Sequence, residues 1–184
     1  MADSSWTLDS SNGALLVLTG VTGRAAKMGH RLTIAMESWR ATAQWKGGQP
    51  ASAELVVNVD SLAVLKGEGG LTPLAGPEKG VARSNALKSL DAKKFPTVRF
   101  VAGDITKTPD GFRLAGSVQI HGVTRPQVVD LVFEDRGDSW ALSAQVPVTQ
   151  TDFGIKPISL LMGAMKTVDE VTISFTGTHP KELV

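Results

Sequence analysis

The sequence predicts an all-β protein built from an antiparallel sheet, on three observations. Apolar and polar residues alternate with a period of two along most of the chain. Short clusters of turn-forming residues separate the alternating runs, and no strand–helix–strand rhythm appears. Alternation of this kind puts every second side chain on one side of a pleated strand, so each run is a strand with one buried face.

The elements follow in order. Strands are expected at about residues 5–9 and 14–20, joined by Ser11-Asn12-Gly13. Leu32, Ile34 and Met36 mark the next strand, and Ser38-Trp39 then shifts the phase, as a bulge would. The turn Lys46-Gly47-Gly48-Gln49-Pro50 leads to a strand at 52–60. Residues 66–80, KGEGGLTPLAGPEKG, read as a loop. Leu87 and Leu90, at helical spacing after a Ser84 cap, predict one short helix.

A strand at 97–106 precedes the turn Pro109-Asp110-Gly111. Phe112, Leu114, Val118 and Ile120 then alternate with Arg113, Ala115, Ser117 and Gln119, leaving Gly116 on the apolar face. A strand at 127–134 ends at Arg136-Gly137-Asp138. Trp140, Leu142, Ala144, Val146 and Val148 form an uninterrupted series, and Val171, Ile173 and Phe175 form the last one. Between these two, FGIKPISLLMGAMKTVD (153–169) is apolar and interrupted by Pro157 and Gly163. It is expected to be a loop or helical turn covering one end of the sheet.

At 184 residues, with 42% hydrophobic and 20% charged residues, the chain fits one globular domain, 1–184. The net charge of +1 gives no reason to expect nucleic acid as a partner. No cysteine is present, which excludes a disulfide framework and a thiol nucleophile. No run of about 18 apolar residues occurs, so no integral membrane segment is expected. The opening MADSSWTLDSSNG has neither a basic start nor an apolar stretch of signal length, and the expectation is a cytoplasmic protein. Monomer and homodimer are both compatible with the sequence.

Catalytic and metal motifs are weak. The three histidines, His30, His121 and His179, have no second ligand at metal-site spacing, so no metal is expected. Asp152-Phe153-Gly154 spells a kinase tripeptide without the other kinase elements. The glycines at 67–70 lack phosphate-loop spacing, and no Ser-centred triad can be assembled. The expectation is a protein that is not an enzyme and has no cofactor. His121 lies in SVQIHGVTRPQVVDLVFE, where Gly122 and Pro126 suggest a bend between strands, and we read it as a hydrogen-bonding residue of that bend.

Trp6, Trp39, Trp45 and Trp140, with six phenylalanines, supply most of the large apolar surface. About eight strands closed into a barrel either enclose their own side chains or hold one small ligand. Ala41, Ala43, Gly116 and Ala144 are small inward candidates that would leave room. Both readings stay open at this point.

Four motifs then stand in order: Phe95-Pro96 followed by Phe100; Val118, Ile120-His121-Gly122-Val123-Thr124-Arg125-Pro126; Asp152-Phe153-Gly154-Ile155; and the terminal strand Asp169 to Phe175. Gly29-His30 adds a fifth. In these the chain, over about residues 5–177, resembles the YceI-like family of lipocalin-like, polyisoprenoid-binding bacterial proteins. The resemblance implies a closed antiparallel lipocalin-like β-barrel of about eight strands, with one short helix and a covering loop. It also implies a long apolar ligand, a polyisoprenoid lipid or isoprenoid quinone, carried or stored inside without catalysis. The candidate lining residues are His30, Met36, Trp39, Phe100, Leu114, Val118, Trp140, Leu142, Phe153, Leu161, Met162, Met165 and Phe175, with Met162 and Met165 suited to a flexible gate. The alternative is a filled-core stress-related or protein-interaction domain that binds no small molecule.

Overall fold

The computed structural model describes residues 3–181. Its strands are β1 (Ser4–Asp9), β2 (Gly13–Leu18), β3 (Val21–Thr22), β4 (His30–Met36), β5 (Trp39–Lys46), β6 (Gln49–Asn58) and β7 (Leu62–Gly69). After helix α1 (Gly76–Ser89) come β8 (Thr97–Thr108), β9 (Gly111–Ile120), β10 (Val123–Asp135), β11 (Ser139–Thr149), β12 (Ser159–Leu160), β13 (Met165–Thr167) and β14 (Glu170–Pro180). Eleven of these form one antiparallel sheet in the order β1-β5-β6-β8-β9-β10-β11-β14-β2-β4-β7, and β12-β13-β3 form a small second sheet.

The large sheet is strongly curled. Trp6 on β1, the first strand in that order, stacks on His179 of β14, the eighth, with ring centroids 3.9 Å apart. Each inward row is apolar because the strands alternate, as in Leu114 and Val118 of β9 or Leu142 and Ala144 of β11, all buried. No polar or charged side chain is buried among the described residues. Polar pairs stand on the outer face instead. Arg113 donates to both carboxylate oxygens of Asp130 at 2.7 and 2.9 Å, and Arg99 to Glu54 at 2.6 Å. The Arg113 hydrogen bond holds the Asp130 carboxyl below its ordinary pKa.

The phase shift at Ser38-Trp39 is a corner rather than a bulge. On one side of it β4 pairs with β7; on the other β5 pairs with β6. Asn58 N donates to Ser38 O at 2.9 Å, Glu37 N to Ser61 O at 3.2 Å, and Ser38 N to Ser61 Oγ at 2.9 Å. A two-stranded ribbon therefore bends as a unit and feeds both halves of the sheet. The register shifts lie elsewhere, at Thr33/Ile34, Gln44/Trp45 and Ala102/Asp104.

Three further expectations are corrected. Residues 66–69 continue strand β7 rather than starting a loop. The helix begins at Gly76, not at Ser84: Pro77 occupies its first turn and the Glu78 carboxylate accepts from Ala75 N at 2.5 Å. Gly116 makes no room in the interior. A Cβ there would lie 2.0 Å from Val101 O and 2.8 Å from the Ala102 Cα, so its role is to let β9 approach β8 beside the Ala102/Asp104 irregularity. Gly116→Ala should therefore cost about 2 kcal/mol through backbone displacement. It should lower Tm by about 4–8 °C, and an unchanged melting curve would contradict this account of β9.

Candidate functional site: an apolar hollow inside the curled sheet

The sheet encloses a cavity of about 610 Å³. Its wall is built from the inward rows: Leu32, Ile34 and Met36 of β4, Leu55 and Val57 of β6, Phe100 of β8, Leu114 and Val118 of β9, Val129 and Leu131 of β10, and Leu142, Ala144, Val146 and Val148 of β11. Small side chains at Ala41, Ala43, Ala53 and Ala144 hold part of that space open.

The two ends differ. At one, Trp6, Trp45, Phe112 and Phe133 form an aromatic floor, with centroids 4.6 Å apart for Trp6–Trp45, 5.9 Å for Trp45–Phe112 and 5.3 Å for Phe112–Phe133. At the other, three pieces make a lid. Ala82, Ala86 and Leu90 face in from α1 and the residue after it; Ile155, Ile158, Leu160 and Met165 from the 153–169 segment; Val21 and Met28 from the stretch before β4. The lid pieces are joined to one another. Ala25 N donates to Ala164 O at 2.8 Å, Ser89 Oγ to Lys156 O at 3.2 Å, and β13 pairs with β3.

Of the candidate lining residues, His30, Met36, Phe100, Leu114, Val118, Leu142, Met165 and Phe175 lie on the cavity wall. The other five do not. Trp39 is the first residue beyond the corner and packs edge-on against Phe175, centroids 5.6 Å apart, on the Gly13 backbone. Trp140, at the far end of β11, lies against Phe133 with the Lys181 ammonium 4.3 Å over its ring. Phe153 is buried in one cluster with Phe100, Leu114 and Val118 without lining the hollow. Leu161 and Met162 have left-handed backbone (φ 50° and 55°) in a tight helical turn, which aims them into solvent; Met162 is fully exposed. Of the two proposed gate residues, only Met165 reaches the hollow.

The helix face Ala82/Ala86 went unread because its segment opens with Gly and Pro, although the i, i+4 spacing of two alanines before Leu90 was a usable signal. Val129, Leu131 and Phe133 were visible in the same way, as a period-two row.

His121 holds the lid end together. With Gly122 it forms a two-residue turn between β9 and β10, both at positive φ (53° and 74°), the geometry that suits a tight hairpin. A Cβ at Gly122 would fall 2.5 Å from the Phe95 ring. Because a carbonyl only accepts, the 3.0 Å contact of His121 Nδ1 with Phe153 O makes Nδ1 the protonated nitrogen. Arg125 Nε donates to Asp152 O at 3.0 Å beside it. Phe95, His121-Gly122 and Asp152-Phe153-Gly154, far apart in sequence, thus meet in one clasp. Pro126 belongs to β10 rather than to the bend. His30 is a second tie: it lines the hollow, and its Nε2 donates to Thr72 O at 2.7 Å, fixing the loop before α1. No group of three or more potential metal ligands occurs among the described residues.

A family profile described as a YceI-like domain matches residues 6–178. The chain belongs to the YceI-like family. Among its relatives, a UPF0312 protein of Pseudomonas putida is 26% identical over 144 residues, covering 74% of this chain and 68% of that protein. A UPF0312 protein of Pseudomonas savastanoi pv. phaseolicola is 26% identical over 152 residues, covering 79% and 72%. Among solved structures, Burkholderia cenocepacia BcnA superimposes with TM-score 0.70 at 16% identity, over 94% of this chain and 99% of that one. A Campylobacter jejuni YceI mutant carrying a monobromobimane guest gives TM-score 0.59 at 13% identity, over 82% and 85%. At these identities the two structures establish that the YceI-like fold is shared.

The clasp yields a direct expectation for a YceI-like chain. His121→Ala leaves the Phe153 carbonyl without its donor, at a cost of about 1–3 kcal/mol. That is read as a fall in Tm of about 2–4 °C per kcal/mol. An unaltered Tm would remove the clasp from the account.

Proposed function

We propose that this YceI-like protein is a non-catalytic carrier or store for a long apolar ligand, a polyisoprenoid lipid or isoprenoid quinone. The observation that carries the reading is the hollow of about 610 Å³ lined by aliphatic and aromatic side chains. Such a volume lies in the range of small-molecule sites. The same hollow speaks against the alternative of a filled-core interaction domain, which expects no such space.

In this reading the sheet works as a closed barrel of about eight strands. Ladder pairing supports closure: from β2 to β4, round the corner into β5, then β6, β8, β9, β10, β11, β14 and back to β2. Counting β1–β2, β4–β5 and β6–β7 each as one bent strand gives eight strands in the circuit, with β1 continuing β2 between β5 and the end of β14.

Affinity then comes from removing the tail from water. Each buried carbon contributes up to about 0.8 kcal/mol, so one five-carbon unit adds at most about 3–4 kcal/mol. With each non-hydrogen atom occupying the ~30 Å³ of a water molecule, the hollow takes on the order of twenty carbons, or about four prenyl units. Polar lining residues such as Glu78, Asn85, Gln150 and Lys166 lie at the lid, so the polar head is expected there and the tail against the aromatic floor.

Two measurements test this. In a series of prenyl alcohols of two, three, four and more units, affinity should rise with each unit to about four and then level off. Independence from chain length would contradict an enclosed tail site. Ala144→Phe, placed on the cavity wall, should weaken binding of a three-unit prenyl probe by about tenfold or more while Tm holds or rises, because the ring fills empty apolar space. Unimpaired binding by this variant would contradict ligand residence in the hollow.

A further inference from the structure

Of the ten exposed large apolar side chains among the described residues, Leu65, Val101, Val128 and Val132 stand on strands β7, β8 and β10, while the other six gather at one end. Met28, Leu71, Val81, Leu160, Leu161 and Met162 all belong to the lid, with Leu71 75% and Met162 103% exposed. Three of them, Met28, Val81 and Leu160, also line the cavity. The apolar lining therefore runs out over the rim and continues onto the surface. The remaining members are tied to the same rim: Leu161 and Met162 follow Leu160 in its tight turn, and Leu71 precedes Thr72, whose carbonyl is held by His30. Isolated exposed aliphatic residues need no explanation, but a group surrounding a cavity mouth does.

Charge is concentrated at the same place. The lid segments 19–29, 70–89 and 153–168 carry Arg24, Lys27, Lys79, Lys88, Lys156 and Lys166, besides Arg83, which pairs with Asp60. They contain one acid, Glu78, and a second, Asp169, closes the 153–169 segment with its carboxylate held by Thr151, while the whole chain has a net charge of only +1. None of the six is in an ion pair among the described residues. Apolar side chains ringed by unpaired cations fit the headgroup region of an anionic bilayer, where the aliphatic tips enter the acyl boundary and the ammonium groups meet phosphate.

We propose that the lid end docks on anionic membrane surfaces, so that the ligand passes between bilayer and hollow without crossing water. The occupant is a lipid bilayer, and the surface serves the same cavity; the purpose assigned to it rests on the carrier reading, whereas the docking itself does not. Transfer through a mouth embedded in the headgroups spares the tail the cost of aqueous exposure, which rises with every carbon.

The test is flotation of the purified full chain, without ligand, with vesicles of phosphatidylcholine alone and of phosphatidylcholine mixed with phosphatidylglycerol. The expected result is association with the mixed vesicles that falls as salt is raised. Lys27→Gln with Lys156→Gln should weaken it about fivefold per charge removed. Leu161→Asn with Met162→Asn should weaken it about tenfold or more through lost apolar insertion. Asparagine tolerates the left-handed backbone at both sites, so Tm should not move. Absence of flotation with either composition, or binding indifferent to both pairs of substitutions, overturns the proposal. A parallel titration with a water-soluble short prenyl alcohol separates the two claims. Prenyl binding without vesicle binding sinks docking alone; vesicle binding without prenyl binding sinks the carrier reading alone.

Discussion

Main-chain hydrogen bonding around the curled sheet is what keeps the interior open. Inward side chains on facing strands would gain by meeting across the hollow, but their backbones are fixed in ladders that cannot contract without losing pairs. The wall is thus stabilised along the sheet and not across it. The tie of Ser38 to Asn58 and Ser61 matters most here, because it bends one ribbon so that it serves both halves of the sheet. The interior keeps unfilled apolar space, and this is the physical basis of a binding function.

The lid is built by a different rule. α1 has no fully buried residue, and it closes the end with small side chains such as Ala82 and Ala86 rather than large ones. The helix and the loop before it are attached by side-chain hydrogen bonds and not by a ladder: His30 to Thr72 O, Ser89 to Lys156 O, Lys79 to Leu65 O at 2.8 Å, and Arg83 to Leu62 O at 2.8 Å and Asp60 O at 2.7 Å. A helix held by side-chain contacts opens at lower cost than a ladder does. Floor and lid therefore divide the work, with interlocked aromatic rings at one end and a lightly fastened cover at the other.

Much of the wall could be read from the sequence, because a period of two places Leu114, Val118, Leu142 and Ala144 on one side whatever the tertiary arrangement. The site was legible to the same extent: candidates within clean alternating runs, such as Met36, Phe100 and Phe175, reached the hollow. Trp39 and Trp140 keep the inward phase of Ala41 and Leu142 and pack in the same core, but at strand ends beyond the hollow, a limit that alternation does not reveal. Phe153 lies in a short helical turn where a period of two does not apply. Leu161 and Met162 escaped the pattern through left-handed backbone. The corner at Ser38 was seen as a break in phase, yet its nature depends on contacts with Asn58 and Ser61, about twenty residues away. The helix start was hidden because Gly76, Pro77 and Gly80 suggest a loop, although proline and glutamate suit a first helical turn.

The central claim is that the interior holds a prenyl chain in the cell. Protein purified under native conditions, extracted with organic solvent and examined by mass spectrometry, measures this most directly. The account predicts recovery of a polyisoprenoid or isoprenoid quinone in near-stoichiometric amount. Repeated recovery of empty protein that also fails to take up added prenyl lipid would contradict it.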